Sequence, residues 1–298
     1  MHLAAGLIAA ALVLFSAVPA ARALTAAPLA FDFAVDPGES ASGEIRLFNE
    51  QSYAVIVRAE ALNFEASEGD EGRGIPNFYP PGEDRGGRAL APWLVLPEPL
   101  VIPAGARQSA RFQVNVPTGA EPGSRFGAVQ LAFTPLDGPG SGVGVSGAIA
   151  SLILLRVNGE SVESLSLTGF RADRKLAESL PIRFQVSVDN AGTVHLRPSG
   201  TINIRNLFGR QVASIEVNPE GRSALPGAAR RFDAAWEGRR FAFGPYKADL
   251  AIQYGQDGAL AGQASFSVFP WKPLVAVFGG VFAVVYALWY TLKRIHKR

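Results

Sequence analysis

The chain has 298 residues, 48% of them hydrophobic, and a formal net charge of +2. That length holds about two ordinary domains, and the apolar share is ample for real cores. Cysteine is absent, which excludes disulfides, thiol nucleophiles and cysteine-held metals. Four of the cations sit in the tail KRIHKR; without them and Arg22 the acids outnumber the bases, so the body lacks the basic footprint of a nucleic-acid binder.

Residues 3–18, LAAGLIAAALVLFSAV, are an apolar run followed by Pro19 and the small-residue triplet Ala21-Arg22-Ala23. This order predicts a signal peptide over 1–23, cut near Ala23, and an exported body. The n-region is only Met1 and His2, without Lys or Arg, so an uncleaved N-terminal anchor is the alternative.

From Thr25 the pattern is that of strands. Phe31, Phe33 and Val35 alternate before the turn Asp36-Pro37-Gly38; Ile45 and Leu47 alternate before Asn49-Glu50-Gln51-Ser52; Tyr53, Val55 and Val57 begin the next run. Trp93–Leu96, Leu100–Ile102, Ala106–Val116, Arg125–Thr134 and Val143–Val157 complete a first set. Its last member holds AIASLILLRV, too short to span a membrane as a helix and best read as a strand buried on both faces. The Gly-rich LDGPGSGVGVSG at 136–147 reads as a hairpin loop.

A second set runs through Pro181–Asp189, Thr201–Ile204, Gln211–Val217, Arg230–Trp236, Tyr246–Tyr254 and Ala264–Phe269. The halves repeat one another. IRLFNEQSYAVIV matches VSVDNAGTVHLRP with Asn49 and Asn190 at one turn, IPAGARQSARFQV matches LPGAARRFDAAW, and EPGSRFGAVQLAF pairs with RFAFGPYKADLAIQYG. Three matches in one order predict an all-β body of two tandem immunoglobulin-like β-sandwiches, over 24–159 and 160–268, with the boundary near Val157-Asn158-Gly159-Glu160.

Between Lys272 and Lys293 the run PLVAVFGGVFAVVYALWYTL carries no charge. About 20 apolar residues in a helix match the hydrocarbon thickness of a bilayer. A transmembrane helix is expected over 271–292, with the basic tail 293–298 on the cytoplasmic side. Trp271, Lys272, Trp289, Tyr290, Lys293 and Arg294 are its expected interface anchors. Gly279, Ala283 and Ala287 recur every four positions, a small-residue face on which a second helix could pack.

Catalytic motifs are missing. There is no G-x-S-x-G, H-E-x-x-H or Walker loop, and His195 is the only histidine outside the two ends. A lone His beside a turn reads as a surface or packing residue, so neither an enzyme nor a cofactor is expected. Glu65, Glu68, Asp70 and Glu71 lack the ordered spacing of a calcium loop and read as a solvated run. The interval 65–90 is long for a loop and holds Ile75-Pro76-Asn77-Phe78-Tyr79-Pro80-Pro81. Phe78 and Tyr79 could stack on a sugar, and Arg85 and Arg88 could reach carboxylates; packing of the rings on the domain's own surface is the competing reading.

The ordered segments FDFAVDPGESASGEIRLFNEQSYAVIVRAEAL, VIPAGARQSARFQVNVP, PGSRFGAVQLAF, RPSGTINIRNLFGRQ, LPGAARRFDAAW and FGPYKADLAI, with a closing span and basic tail, resemble the WxL-interacting surface proteins of bacteria. The resemblance implies a peptidoglycan-binding first domain and a partner-binding second domain. The resulting expectation is a single-pass protein of the cell membrane whose exported body binds cell-wall glycan and a protein partner. The alternative is a protein-binding scaffold or pilus-chaperone-like assembly factor that offers an exposed sheet edge.

Overall fold

A computed structural model describes residues 23–67, 71–136, 146–238 and 242–295. The expected signal peptide, the Gly-rich loop over 137–145, Glu68, Asp70 and the tail beyond Ile295 lie outside the described residues. Among the described residues the chain is all-β apart from one short 3-10 turn and a C-terminal helix. It divides into two compact units, one built from residues up to Asn63, Tyr79–Ala120 and Phe126–Leu155, the other from Phe64–Phe78, Glu121–Arg125 and Arg156 onward. The main division thus falls close to Asn158, but two stretches of the first half belong to the second unit.

In the first unit, β1 (Leu24–Ala27), β3 (Ser40–Asn49), β8 (Arg107–Asn115) and β6 (Leu94–Val95) form one sheet in the order β1-β3-β8-β6. The second sheet orders β2 (Ala30–Val35), β10 (Gly147–Val157), β9 (Gly123–Pro135), β4 (Val55–Ala66) and β5 (Pro76–Tyr79), with β7 (Leu100–Ile102) also on β4. Period-two alternation drives the packing: Ile45 and Leu47 on β3 and Ala110, Phe112 and Val114 on β8 point inward and are buried. Phe31 of β2 meets Phe112 edge-on at 5.0 Å between ring centres, which ties one sheet to the other. Gly43 sits beneath that ring; a Cβ there would lie 2.3 Å from Phe112 Cζ. In β10, Ile153, Leu154 and Leu155 are all buried in sequence, as a strand covered on both faces requires.

In the second unit, β11 (Leu165–Ala172), β13 (Ile182–Asn190) and β16 (Ala229–Trp236) form one sheet. β12 (Leu176–Ala177), β18 (Gly258–Val268), β17 (Gly244–Tyr254), β14 (Ser199–Asn206) and β15 (Gln211–Val217) form the other, in that order. Phe184, Val186, Ile202, Ile204 and Ile252 fill the space between them. The topology repeats that of the first unit: β1-β3-β8 corresponds to β11-β13-β16, and β2-β10-β9-β4 to β12-β18-β17-β14. The repeat seen in the residues is therefore a repeat of strand order.

The helix α1 spans Trp271–Ile295, 25 residues. The side chains of 273, 274, 276, 277, 290–292, 294 and 295 lie outside the description, Tyr290 and Arg294 among them. Among the described residues no helix is long and apolar enough to cross a membrane. The expected span over 271–292 accordingly stands on the sequence.

Candidate functional site

The interval 65–90 is more ordered than its prolines and charges suggest. Pro76–Tyr79 is β5, an added strand on β4. Adjacent residues of a strand point to opposite faces, so Phe78 and Tyr79 part company. Phe78 is 38% exposed and meets Phe64 edge-on at 6.2 Å, whereas Tyr79 is 2% exposed. Tyr79 is thus a core residue and not half of a paired sugar platform. The Arg85 guanidinium stacks over the Tyr79 ring at 4.5 Å and is paired with Glu83 at 2.8 Å. Arg88 is half-buried, and its carbonyl accepts from Phe126 N–H. Tyr79 and Arg85 meet, while Phe78 points to the other face of β5. Of the acids, Glu65 accepts from Asn77 and Glu71 pairs with Arg231 at 3.2 Å.

His195 is buried, with a partner the sequence did not suggest. Ser124 Oγ lies 2.7 Å from His195 Nδ1, and the same Oγ accepts from His195 N–H at 2.8 Å. Both residues are under 9% exposed. A serine beside a histidine invites a nucleophilic reading, but this hydroxyl is tied twice to one residue. The pair is a structural clasp.

A wide groove lies in the second unit along β15 and β16. It measures about 1120 Å³ and is floored by Ala213, Ile215, Ala234, Trp236 and Tyr246 and rimmed by Glu216 and Asp233. β15 pairs only with β14 and β16 only with β13, so each presents an unpaired edge. The direction of the β16 edge can be read from its ladder. Arg183 O accepts from Asp173 N–H at 2.8 Å, away from β16, so in the Arg183–Ala235 pair the backbone groups of Ala235 point outward. Odd-numbered positions of β16 therefore face the open side. At Arg231 that side is filled, since its N–H donates to Gly72 O at 2.7 Å. Gly72 has φ +75, and a Cβ there would stand 3.0 Å from Arg231 N, so a glycine permits this approach. Asp233 and Ala235, next along the same edge, have no such backbone partner among the described residues. Nothing in the sequence marked this groove, because edge position is decided by pairing between distant strands.

At the base of α1, Glu178 accepts from Trp271 Nε1 through one oxygen and from Lys272 Nζ through the other, both at 2.6 Å. These two bonds, the Lys272 one foremost, hold the Glu178 carboxyl below its ordinary value. Lys272 also lies 5.6 Å from the Trp271 ring centre, and Lys293 4.8 Å from that of Trp289. Gly279 has open space around it, and Ala283 and Ala287 are exposed.

No family model matches the chain, and no curated protein matches it. Among solved structures it is similar to the class 5 fimbriae chaperone CfaA, at TM-score 0.43 and 14% identity, over 81% of this chain and 99% of that one. It is also similar to the Salmonella enterica SafA pilin–SafB chaperone complex, at 0.38 and 11% over 84% and 99%, and to the E. coli chaperone DraB, at 0.36 and 13% over 83% and 97%. At these values the likeness says nothing of a ligand.

Proposed function

We propose that this chain is an exported, membrane-anchored protein that acts by binding, and that its second unit takes an extended segment of a protein partner onto the open edge of β16. The observation that carries this reading is the half-filled edge. The chain's own backbone already adds to β16 at Arg231 through Gly72, while Asp233 and Ala235 continue the same row of outward amides unpaired. An extended peptide entering there would gain main-chain bonds from the edge and set alternate side chains against Ile215 and Trp236 on the groove floor. Binding by the second unit also agrees with what the resemblance to WxL-interacting proteins implies for a second domain. Catalysis is not proposed, because Ser124 and His195 are closed on each other. Attachment to wall glycan is the weaker reading, since the buried Tyr79 removes one of the two rings it relied on.

Anchoring by α1 belongs to the same proposal. Its support is the uncharged run between Lys272 and Lys293 and the exposure of Phe278, Phe282 and Leu288 on the described part of the helix. The basic tail favours a cytoplasmic C-terminus.

The test compares the full chain in detergent with its Ala235→Pro variant. Proline deletes the outward N–H at 235 without removing a ladder bond to β13. Protein captured from envelope extract by the parent and lost by the variant, at unchanged melting, supports edge binding. Equal capture by both, or retention of the parent on purified sacculi at the variant's level, assigns binding elsewhere.

A further inference from the structure

Outside α1, the three most exposed large apolar side chains among the described residues are Phe208 at 89%, Leu207 at 71% and Leu176 at 66%. They are far apart in sequence but share one end of the second unit. Leu207 and Phe208 form the tip of the β14–β15 hairpin, just past the Asn206–Tyr246 pair; Tyr246 in turn pairs with Phe266, and Leu176 pairs with Ser267. Phe243 and Phe269, both about half exposed, lie at the same end with ring centres 5.7 Å apart. This is also the end from which α1 leaves, since β18 closes at Val268 and the helix begins at Trp271.

The charges at this end leave a cationic excess, with the exposed Glu237 after Trp236 as the acid that no ion pair holds among the described residues. Asp173 is paired with Arg174, Asp249 with Arg205, and Glu178 with Lys272. Lys175, Arg210 and Lys247 are exposed beside the apolar tip, and Lys175, Lys247 and Leu207 line one cavity of about 440 Å³. Apolar and aromatic side chains ringed by cations are the pattern of a surface that settles in a lipid headgroup layer.

We infer that this end of the second unit rests in the headgroup layer of the membrane that holds α1, with Leu207 and Phe208 below the phosphates and Lys175, Arg210 and Lys247 on them. The occupant of the patch is an anionic phospholipid surface. Continuity with α1 argues for it, because a helix entering a bilayer brings the end of the domain it leaves to the lipid surface. The inference rests on the anchoring reading above. Interfacial elements sink about 5–10 Å past the headgroup boundary, a depth within reach of a hairpin tip. The unit would then be held by two points, and its open β16 edge would keep a fixed height above the bilayer.

The absence of cysteine allows single-site labelling of the full chain. Phe208→Cys, Glu220→Cys at the opposite end of the unit, and Val281→Cys within α1 are each labelled with an environment-sensitive fluorophore. The proteins are placed in phosphatidylcholine–phosphatidylglycerol vesicles carrying a spin label either near the headgroup or deep in the chains. The expected result is blue-shifted emission at 208 that the shallow label quenches more than the deep one, with no lipid quenching at 220. Reversing Lys175 and Lys247 to Glu in the Phe208→Cys chain should reduce that quenching. An unquenched 208 beside a quenched 281 overturns the inference and leaves the anchor standing. An unquenched 281 overturns the anchor. A blue shift at 208 that neither lipid label quenches means a protein covers the patch and likewise overturns the inference.

Discussion

Asn49 and Asn190, 0% exposed in their separate units, share a pattern of bonds, to which Asn49 Nδ2 adds a contact with Pro103 O at 3.1 Å. Asn49 Nδ2 donates to Tyr53 O and Ile102 O, and Gln51 N–H donates to its Oδ1. Asn190 Nδ2 donates to Val194 O and Ala224 O, and Gly192 N–H donates to its Oδ1. Even the main chains agree: Gly105 N–H donates to Asn49 O and Gly227 N–H to Asn190 O. Each amide closes the turn after an equivalent strand, and Asn49 fastens it to the end of β7 while Asn190 fastens it to the connection before β16.

Replacing either Asn by Ala removes the donations from its amide and leaves one buried N–H without its acceptor, which should cost about 1–3 kcal/mol. Only the unit that carries the change should lose stability, so a denaturation curve resolved by unit checks the claim. Asp in the same place keeps the acceptor but aims a second oxygen at two carbonyls, which raises its folded pKa above the unfolded one. A raised pKa gives stability that is present at low pH and lost as pH rises through the folded value. Asn190→Asp should therefore melt closer to the parent at about pH 4 than at about pH 8; the opposite order would refute the assigned donor roles.

Ser124→Ala removes the hydroxyl that holds both the ring and the backbone N–H of His195. The expected loss is about 1–3 kcal/mol of folding free energy, because two buried polar groups lose their partner. A fluorophosphonate probe should leave the parent chain unlabelled. Labelling of the parent that Ser124→Ala abolishes would make the clasp a nucleophile.

Much of the fold was legible because alternation survives in β3, β8 and β13, and because Asn-centred turns recur at Asn49 and Asn190. β5 was not. Pro76 and Pro80 bracket Asn77-Phe78-Tyr79 and read as loop, yet a short strand next to a strand end tolerates Pro at its first position. Once PNFY is a strand, one of its two rings has to face inward. The β16 groove and the Ser124–His195 clasp were illegible for another reason. Each joins residues whose meeting depends on which strands lie at edges and how units divide, and local pattern carries neither.

The two rings of β5 should separate by mutation. Tyr79→Ala opens a core position and should cost about 3–5 kcal/mol. Phe78→Ala gives up one exposed edge-on contact with Phe64 and should cost about 0.5–1.5 kcal/mol. Sacculus binding lost in Phe78→Ala at unchanged melting would restore the glycan reading.

Glu178 supplies a pH-dependent hold on the start of α1. Its carboxylate takes Lys272 Nζ and Trp271 Nε1 on separate oxygens, and both bonds favour the charged form. The folded pKa is lowered from the ordinary 4.5, so the contact is fully in place above that value. It is lost as pH falls through the lower folded value, and raising pH further should not strengthen it. The indole N–H resonance of Trp271, assigned through Trp271→Phe, should shift on acidification with a midpoint below 4.5. In Glu178→Gln the amide oxygen can still accept from the indole, but nothing at this position titrates, so the resonance should stay put over the same range. A midpoint at or above the ordinary value, or an unchanged titration in Glu178→Gln, would mean that the carboxylate does not hold the helix start in solution.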